Sequence, residues 1–276
     1  MINQKNTDKI ISNIPTSNNI IDYWEDIWDN FLESLNYKIH RLNWWKNIVI
    51  GNGLIANAFL WMNIDKKLII FASGVSNSNE EDKACFEREK KLFSDINKSF
   101  NDFIFVYFSS CSIFDPELKN KPYIFHKKDM ELLISKNIEH YCIIRLPIIV
   151  GSSNNPNTLT NYLHNNIING NKFKVRKNAK RHLIDIDDVY MIVNKLLLNN
   201  LSKNKTIDIA LYQYKITDII GAFEDITWNK AIYDLIDQWW SYEINTKIID
   251  ILLPNIKSLS DKLYLYKIIE KYYSSL

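Results

Sequence analysis

Five short apolar runs alternate along the chain with stretches of helical length. The runs are 46–50 (KNIVI), 68–72 (LIIFA), 103–108 (FIFVYF), 141–145 (YCIIR) and 206–210 (TIDIA). The spacing predicts helices from the end of the first run to about 62, then over 80–98, 122–137, 157–169 and 187–199, the last led in by Leu183 and Ile184. Runs rich in β-branched and aromatic residues that do not alternate with polar ones suit strands covered on both faces. Strands separated by helices of this length specify an α/β fold with a mostly parallel sheet. At 46% hydrophobic and 24% charged residues the chain can fill such a core, which excludes disorder.

Composition excludes other classes. Lys plus Arg is 34 and Asp plus Glu is 32, a formal net charge of +2, so no global field is present for nucleic acid. The lysine-rich stretch 172–180 reads as a solvated loop. Cys85, Cys111 and Cys142 form no paired spacing, which implies neither a disulfide framework nor a metal site. No apolar run reaches membrane-spanning length, and the polar start MINQKNTDKI lacks the apolar stretch of a secretion signal. The expectation is a cytoplasmic protein with no nucleic-acid or membrane partner and no metal.

Three regions are expected. Residues 1–43 form an N-terminal extension whose first 18 residues fray. Ile20, Trp24, Ile27, Trp28, Phe31, Leu35 and Ile39 then place one apolar face on a helix over 20–42. Residues 44–210 form the α/β domain, with insertions around 150–180. Residues 211–276 form a smaller lobe of short elements, whose aromatics (Trp239, Trp240, Tyr242, Tyr264, Tyr266, Tyr272 and Tyr273) serve chiefly as its core.

The first apolar run leads directly into Gly51-Asn52-Gly53-Leu54-Ile55-Ala56 and then a helix. In a GxGxxA turn the first glycine permits a tight bend, the second lets the backbone approach a pyrophosphate, and the small third residue lets helix and strand pack closely. The helix start offers free N–H groups to an anion. With six glycines in the chain, two at this junction leave two readings open, a phosphate-cradling turn and an ordinary tight bend.

The third run ends in Ser109-Ser110-Cys111-Ser112, and Tyr123 and Lys127 follow at YxxxK spacing. Positions i and i+4 share a helix face, so the Lys127 ammonium lies beside the Tyr123 phenol, where positive charge favours phenolate. A hydroxyl from Ser110, or alternatively Ser112, can bond the same substrate oxygen. Such a trio suits proton removal from an alcohol whose carbon loses hydride.

On these residues the chain resembles the extended short-chain dehydrogenase/reductases, the NAD-dependent epimerase/dehydratase group acting on nucleotide sugars. The likeness runs over roughly 46–245 through GNGLIA, LIIFASG, YFSSCSIF, YIFHK, RLPIIVG and RHLIDIDDV. It implies a Rossmann-like fold with a small substrate lobe, and catalytic residues Ser110, Tyr123 and Lys127. It implies NAD or NADP held by Gly51, Gly53, Leu54 and Ile55, by Ala72, Ser73 and Gly74, by Tyr123 and Lys127, and by Leu146 and Pro147. It places Asn154 or Asn155 in a substrate loop and Arg181 on the substrate diphosphate, the alternative for Arg181 being a surface ion pair with Asp185 or Asp187. A homodimer and a role in polysaccharide or glycan biosynthesis are further implications.

The chain departs from the family pattern in one large respect. Only about a dozen residues separate Ala56 from Leu68, room for a helix and nothing else. The usual second and third strands are therefore expected to be missing, with the first strand paired directly to the LIIFASG strand. The acidic residue that would bind the adenosine ribose is lost with them, since Asp65 follows no strand. The N-terminal extension is expected to cover the bared edge. Cys111 stands where dehydratases usually carry an acid, which favours an epimerase or ketoreductase. The alternative is an inactive relative serving as a sugar-nucleotide or protein-binding module.

Overall fold

The computed structural model describes residues 39–42, 47–97, 102–237, 241–252, 254–255 and 259–274. The expected helix face from Ile20 to Leu35, and Trp239 and Trp240, lie outside them. In chain order the elements are β1 (Ile39–Leu42), β2 (Asn47–Ile50), α1 (Leu54–Phe59), β3 (Leu68–Phe71), α2 (Lys83–Asn97), β4 (Ile104–Ser110), a 3-10 turn (Cys111–Phe114), α3 (Pro122–Asn137), β5 (Tyr141–Leu146), β6 (Ile148–Val150), α4 (Leu159–Ile168), β7 (Lys172–Arg176), β8 (Lys180–Asp185), α5 (Ile186–Leu198), β9 (Lys205–Asp208), β10 (Tyr212–Lys215), α6 (Ile216–Thr227), β11 (Ile232–Ile236), α7 (Lys247–Leu252) and α8 (Asp261–Tyr273).

The main sheet has the order β1-β2-β3-β4-β5-β9. From β2 to β9 every neighbouring pair is parallel. The five expected runs are these five strands, each within two residues at either end. β2 and β3 bury all four of their residues, as strands covered on both faces must. β2 lies directly against β3, Asn47 opposite Leu68 and Ile50 opposite Phe71. Short strands that pair side by side need little chain between them, and here α1 alone makes the crossover. The Asn47 amide ties it down, donating to Met62 O (3.2 Å) and Ile64 O (3.4 Å).

Ile39–Leu42 is a correction. The helix reading of 20–42 fails at its last four residues, which form strand β1 on the sheet edge beside β2. An open edge of unpaired N–H and C=O groups gains more from a strand than local spacing gains from a helix.

The region from 211 onward is more regular than expected. It holds the 12-residue α6 and the 13-residue α8, and α8 packs on α6. Residues of both belong to one hydrophobic core that also contains Val49, Ile70 and Val106 of the main sheet. A second sheet, β10-β8-β6, carries the chain from the RLPIIVG segment to Asp185. A pair of parallel strands, β11 and β7, forms the remainder. On that pair Lys172 meets Asp234 at 2.9 Å, and Arg176 meets Glu117 at 2.7 Å, so part of the lysine-rich stretch is neutralised locally. Among the described residues no helix is long and apolar enough to cross a membrane.

Candidate active site

A cleft of about 760 Å³ opens at the C-terminal ends of β2 to β5, where parallel sheets present their loops to ligands. Its lining includes Gly53, Leu54, Ile55, Ala72, Gly74, Ser110, Ser112, Tyr123, Lys127, Leu146, Pro147, Asn155 and Arg181. Most of the residues singled out from sequence thus meet in one cavity. Gly51, Ser73 and Asn154 are not part of its lining. Gly51 instead makes the turn: its φ is +128°, and an added Cβ would lie 2.5 Å from Ala72 O. Ser73 is engaged by Arg88, whose Nη1 donates to its hydroxyl (3.1 Å) and Nη2 to its carbonyl (2.9 Å).

Tyr123 and Lys127 are carried by α3, which begins with Pro122 at its first position, where the missing N–H costs nothing. Both are buried, at 4% and 2% exposure, and Lys127 Nζ lies 5.8 Å from the Tyr123 ring centre. Ser110 ends β4 and caps the following turn, its hydroxyl accepting from Ser112 N at 3.1 Å. The Ser112 hydroxyl bonds Tyr242, so the two serines sit in different environments. Burial pushes the Tyr242 hydroxyl up to about 12, against the pull of Arg181. Arg181, on β8, reaches the cleft and donates to Lys180 O (2.7 Å), while Asp185 and Asp187 are both taken up by Lys271. Arg145 anchors the RLP segment. It clasps Glu131 through Nε (2.9 Å) and Nη2 (2.6 Å), which sets Leu146 and Pro147 at the cleft wall.

The residues present fit a dinucleotide's phosphates. Gly53 borders the cleft with no protein atom within 4 Å of where a Cβ would be, and the first N–H groups of α1 have no partners within the helix. The described lining contains two cations, Lys127 and Arg181, and no Asp or Glu. Asp65 is excluded from an adenosine role by position: it precedes β3, at the opposite end of the sheet. Among the described residues no group of three or more His, Cys, Asp or Glu side chains could hold a metal ion.

Several lining residues were not singled out from sequence. Ser76, Asn77, Ser78 and Asn79 follow Gly74 in the loop between β3 and α2, and Thr158 and Tyr162 flank the start of α4. A run of small polar residues directly after a parallel strand was the available signal, since such loops face the ligand side of an α/β sheet. Glu89, Tyr107 and His126 lie behind the wall and carried no sequence signal: each reads as an ordinary helix or strand residue.

No known family model matches the sequence, and none of the curated proteins does. Solved structures do. The UDP-glucuronic acid 4-epimerase from Bacillus cereus, crystallised with NAD, superposes with a TM-score of 0.58 at 17% identity, over 76% of this chain and 72% of that one. The NAD-dependent NDP-hexosamine 5,6-dehydratase TunA of tunicamycin biosynthesis gives 0.58 at 16%, over 77% and 78%. RMD from Pseudomonas aeruginosa, complexed with NADPH, gives 0.57 at 13%, over 77% and 84%. The chain has the Rossmann-like fold of the nucleotide-sugar epimerases and dehydratases.

Proposed function

We propose that the protein is an NAD(P)-dependent nucleotide-sugar enzyme of the extended short-chain dehydrogenase/reductase family, acting as an epimerase or ketoreductase in glycan biosynthesis. The observation that carries this reading is the meeting of Ser110, Tyr123 and Lys127 with the glycine turn and Arg181 in one cleft. The fold's likeness to enzymes crystallised with NAD or NADPH supports the cofactor. A bound nicotinamide would supply hydride transfer. The protein's own groups do the rest. Tyr123 takes a proton from a sugar hydroxyl, or gives one to a keto group. Lys127 offers its ammonium to Tyr123 and to ligand hydroxyls, and Ser110 orients the reacting oxygen. Leu54, Ile55, Leu146 and Pro147 hold the cofactor, and Arg181 and Asn155 the substrate. A described lining without carboxylates supports epimerisation or reduction over loss of water, which needs a further acid and base. The test is a titration with NADH and NADPH followed by a screen of UDP- and dTDP-sugars, with Tyr123→Phe as control. Turnover that survives Tyr123→Phe undiminished overturns the reading.

A further inference from the structure

The strongest unassigned feature is a buried carboxylate behind the cleft wall. Glu89, on α2, is 0% exposed and accepts from four donors. Val75 N and His126 Nε2 donate to Oε2 at 2.6 and 2.8 Å, and the Tyr107 hydroxyl and Lys127 Nζ to Oε1 at 2.7 and 3.5 Å. Lys127 Nζ also donates to the Tyr107 hydroxyl at 3.0 Å. The donors come from the loop after β3, from β4 and from α3. A carboxylate only accepts, with about four lone-pair sites, so this one is fully satisfied. A glutamine would turn its NH₂ against a donor. Burying an ion is costly unless it is paired, and apolar side chains fill space at lower cost. The cluster therefore needs a reason beyond packing.

We propose that Glu89 is a positioning residue that fixes the Lys127 ammonium at the cleft wall and ties it to the loop carrying Ser76 to Asn79. The proposal rests on the reading of the cleft given above. A lysine on its four-carbon stem is flexible. Here Glu89 and Tyr107 occupy two of its three N–H donors, and the third remains for the cleft that Lys127 lines. Gly74 closes the arrangement: an added Cβ would lie 2.9 Å from Lys127 Nζ and 3.0 Å from Glu89 Oε1. The Val75 N–H bond makes the same carboxylate hold the first residue of the polar loop.

The test is a double-mutant cycle on the full chain: wild type, Glu89→Gln, Lys127→Met and the double variant, each read by thermal midpoint and by NADH binding through fluorescence. A positioning role predicts that the two substitutions are coupled. Glu89→Gln lowers the midpoint more in the wild type than in Lys127→Met, where Val75, Tyr107 and His126 still bond the carboxylate but the ammonium it holds is gone. It weakens NADH binding about tenfold in the wild type and leaves it unchanged in Lys127→Met. Equal losses in both backgrounds mean packing alone and overturn the proposal. Tyr107→Phe covers a failure of Glu89→Gln to fold, with about threefold weaker NADH binding expected in the wild type and no effect in Lys127→Met. If wild-type protein ignores millimolar NADH, the proposed function fails, and the difference in midpoint loss between the two backgrounds still decides the Glu89–Lys127 coupling.

Discussion

The two walls of the cleft are held by different forces. Behind the strand ends, a buried ionised carboxylate gathers Val75, Tyr107, His126 and Lys127. On the opposite side the links that hold the Asn155 loop and Tyr242 are neutral, although Lys271 fastens the C-terminal helix to Asp185. Asn161 Nδ2 donates to Ser153 O (2.7 Å) and Asn155 O (2.8 Å), the Tyr273 hydroxyl donates to Asn161 Oδ1 (2.5 Å), and Gln213 Nε2 donates to Tyr242 O (2.9 Å). The last turn of the C-terminal helix thus steadies the loop bearing Asn155. The contrast teaches that the wall assigned to chemistry is tied to charge and pH, while the wall assigned to substrate rests on hydrogen bonds that neither gain nor lose protons near neutrality.

The largest expected effect sharpens this division. Tyr123→Phe lowers turnover of an accepted sugar nucleotide by about 10²- to 10⁴-fold and leaves NADH affinity within about threefold. Steady-state kinetics and a fluorescence titration check it. The second is a pH effect. Lys127 and the hydrogen bonds of His126 and Val75 outweigh burial and hold the Glu89 carboxyl at about 2, below its ordinary 4.5. Its contribution is therefore full above about pH 4.5 and is lost as the pH falls through 2. Of roughly 3 kcal/mol, about 2 kcal/mol disappears between pH 7 and pH 3. Denaturant melts of wild type and Glu89→Gln converge by that amount, and a pH-independent gap breaks the comparison.

Gly51→Ala tests the turn that both walls flank. It forces an alanine into a left-handed φ and a Cβ against Ala72 O, and costs about 2 kcal/mol in a thermal melt. The smallest effect belongs to the neutral wall. Tyr273→Phe removes the hydroxyl that bonds Asn161 and Thr160 and costs about 1 kcal/mol, equally at pH 7 and pH 3. It raises KM for the sugar nucleotide without changing NADH affinity. An equal effect on both ligands would erase the distinction between the walls.

The fold was legible where burial is two-sided. The runs of β2 to β5 are continuous apolar segments because helices cover both faces, and the cleft residues lie at their C-terminal ends, where chain position alone locates them. β1 was not legible, because its pairing depends on an edge that exists only once β2 and β3 have met. α8 was hidden for another reason. Its faces carry tyrosines whose rings enter the core while their hydroxyls reach acceptors, as Tyr264 reaches Asp188 at 2.6 Å and Tyr272 reaches Asp185 at 2.6 Å. Such residues blur an apolar period. Arg181 was legible as one of two alternatives, and β8 brings it to the cleft lining. Glu89 was invisible, since its meaning comes from four donors on three other segments.

The central claim is that this cleft binds a nicotinamide dinucleotide although β2 lies directly against β3. The most direct measurement is a titration of the purified chain with NADH and NADPH, followed by protein fluorescence and thermal shift. Saturable binding at micromolar concentration, raising the thermal midpoint for at least one of the two, is the predicted result. No binding and no stabilisation by either at millimolar concentration would contradict it.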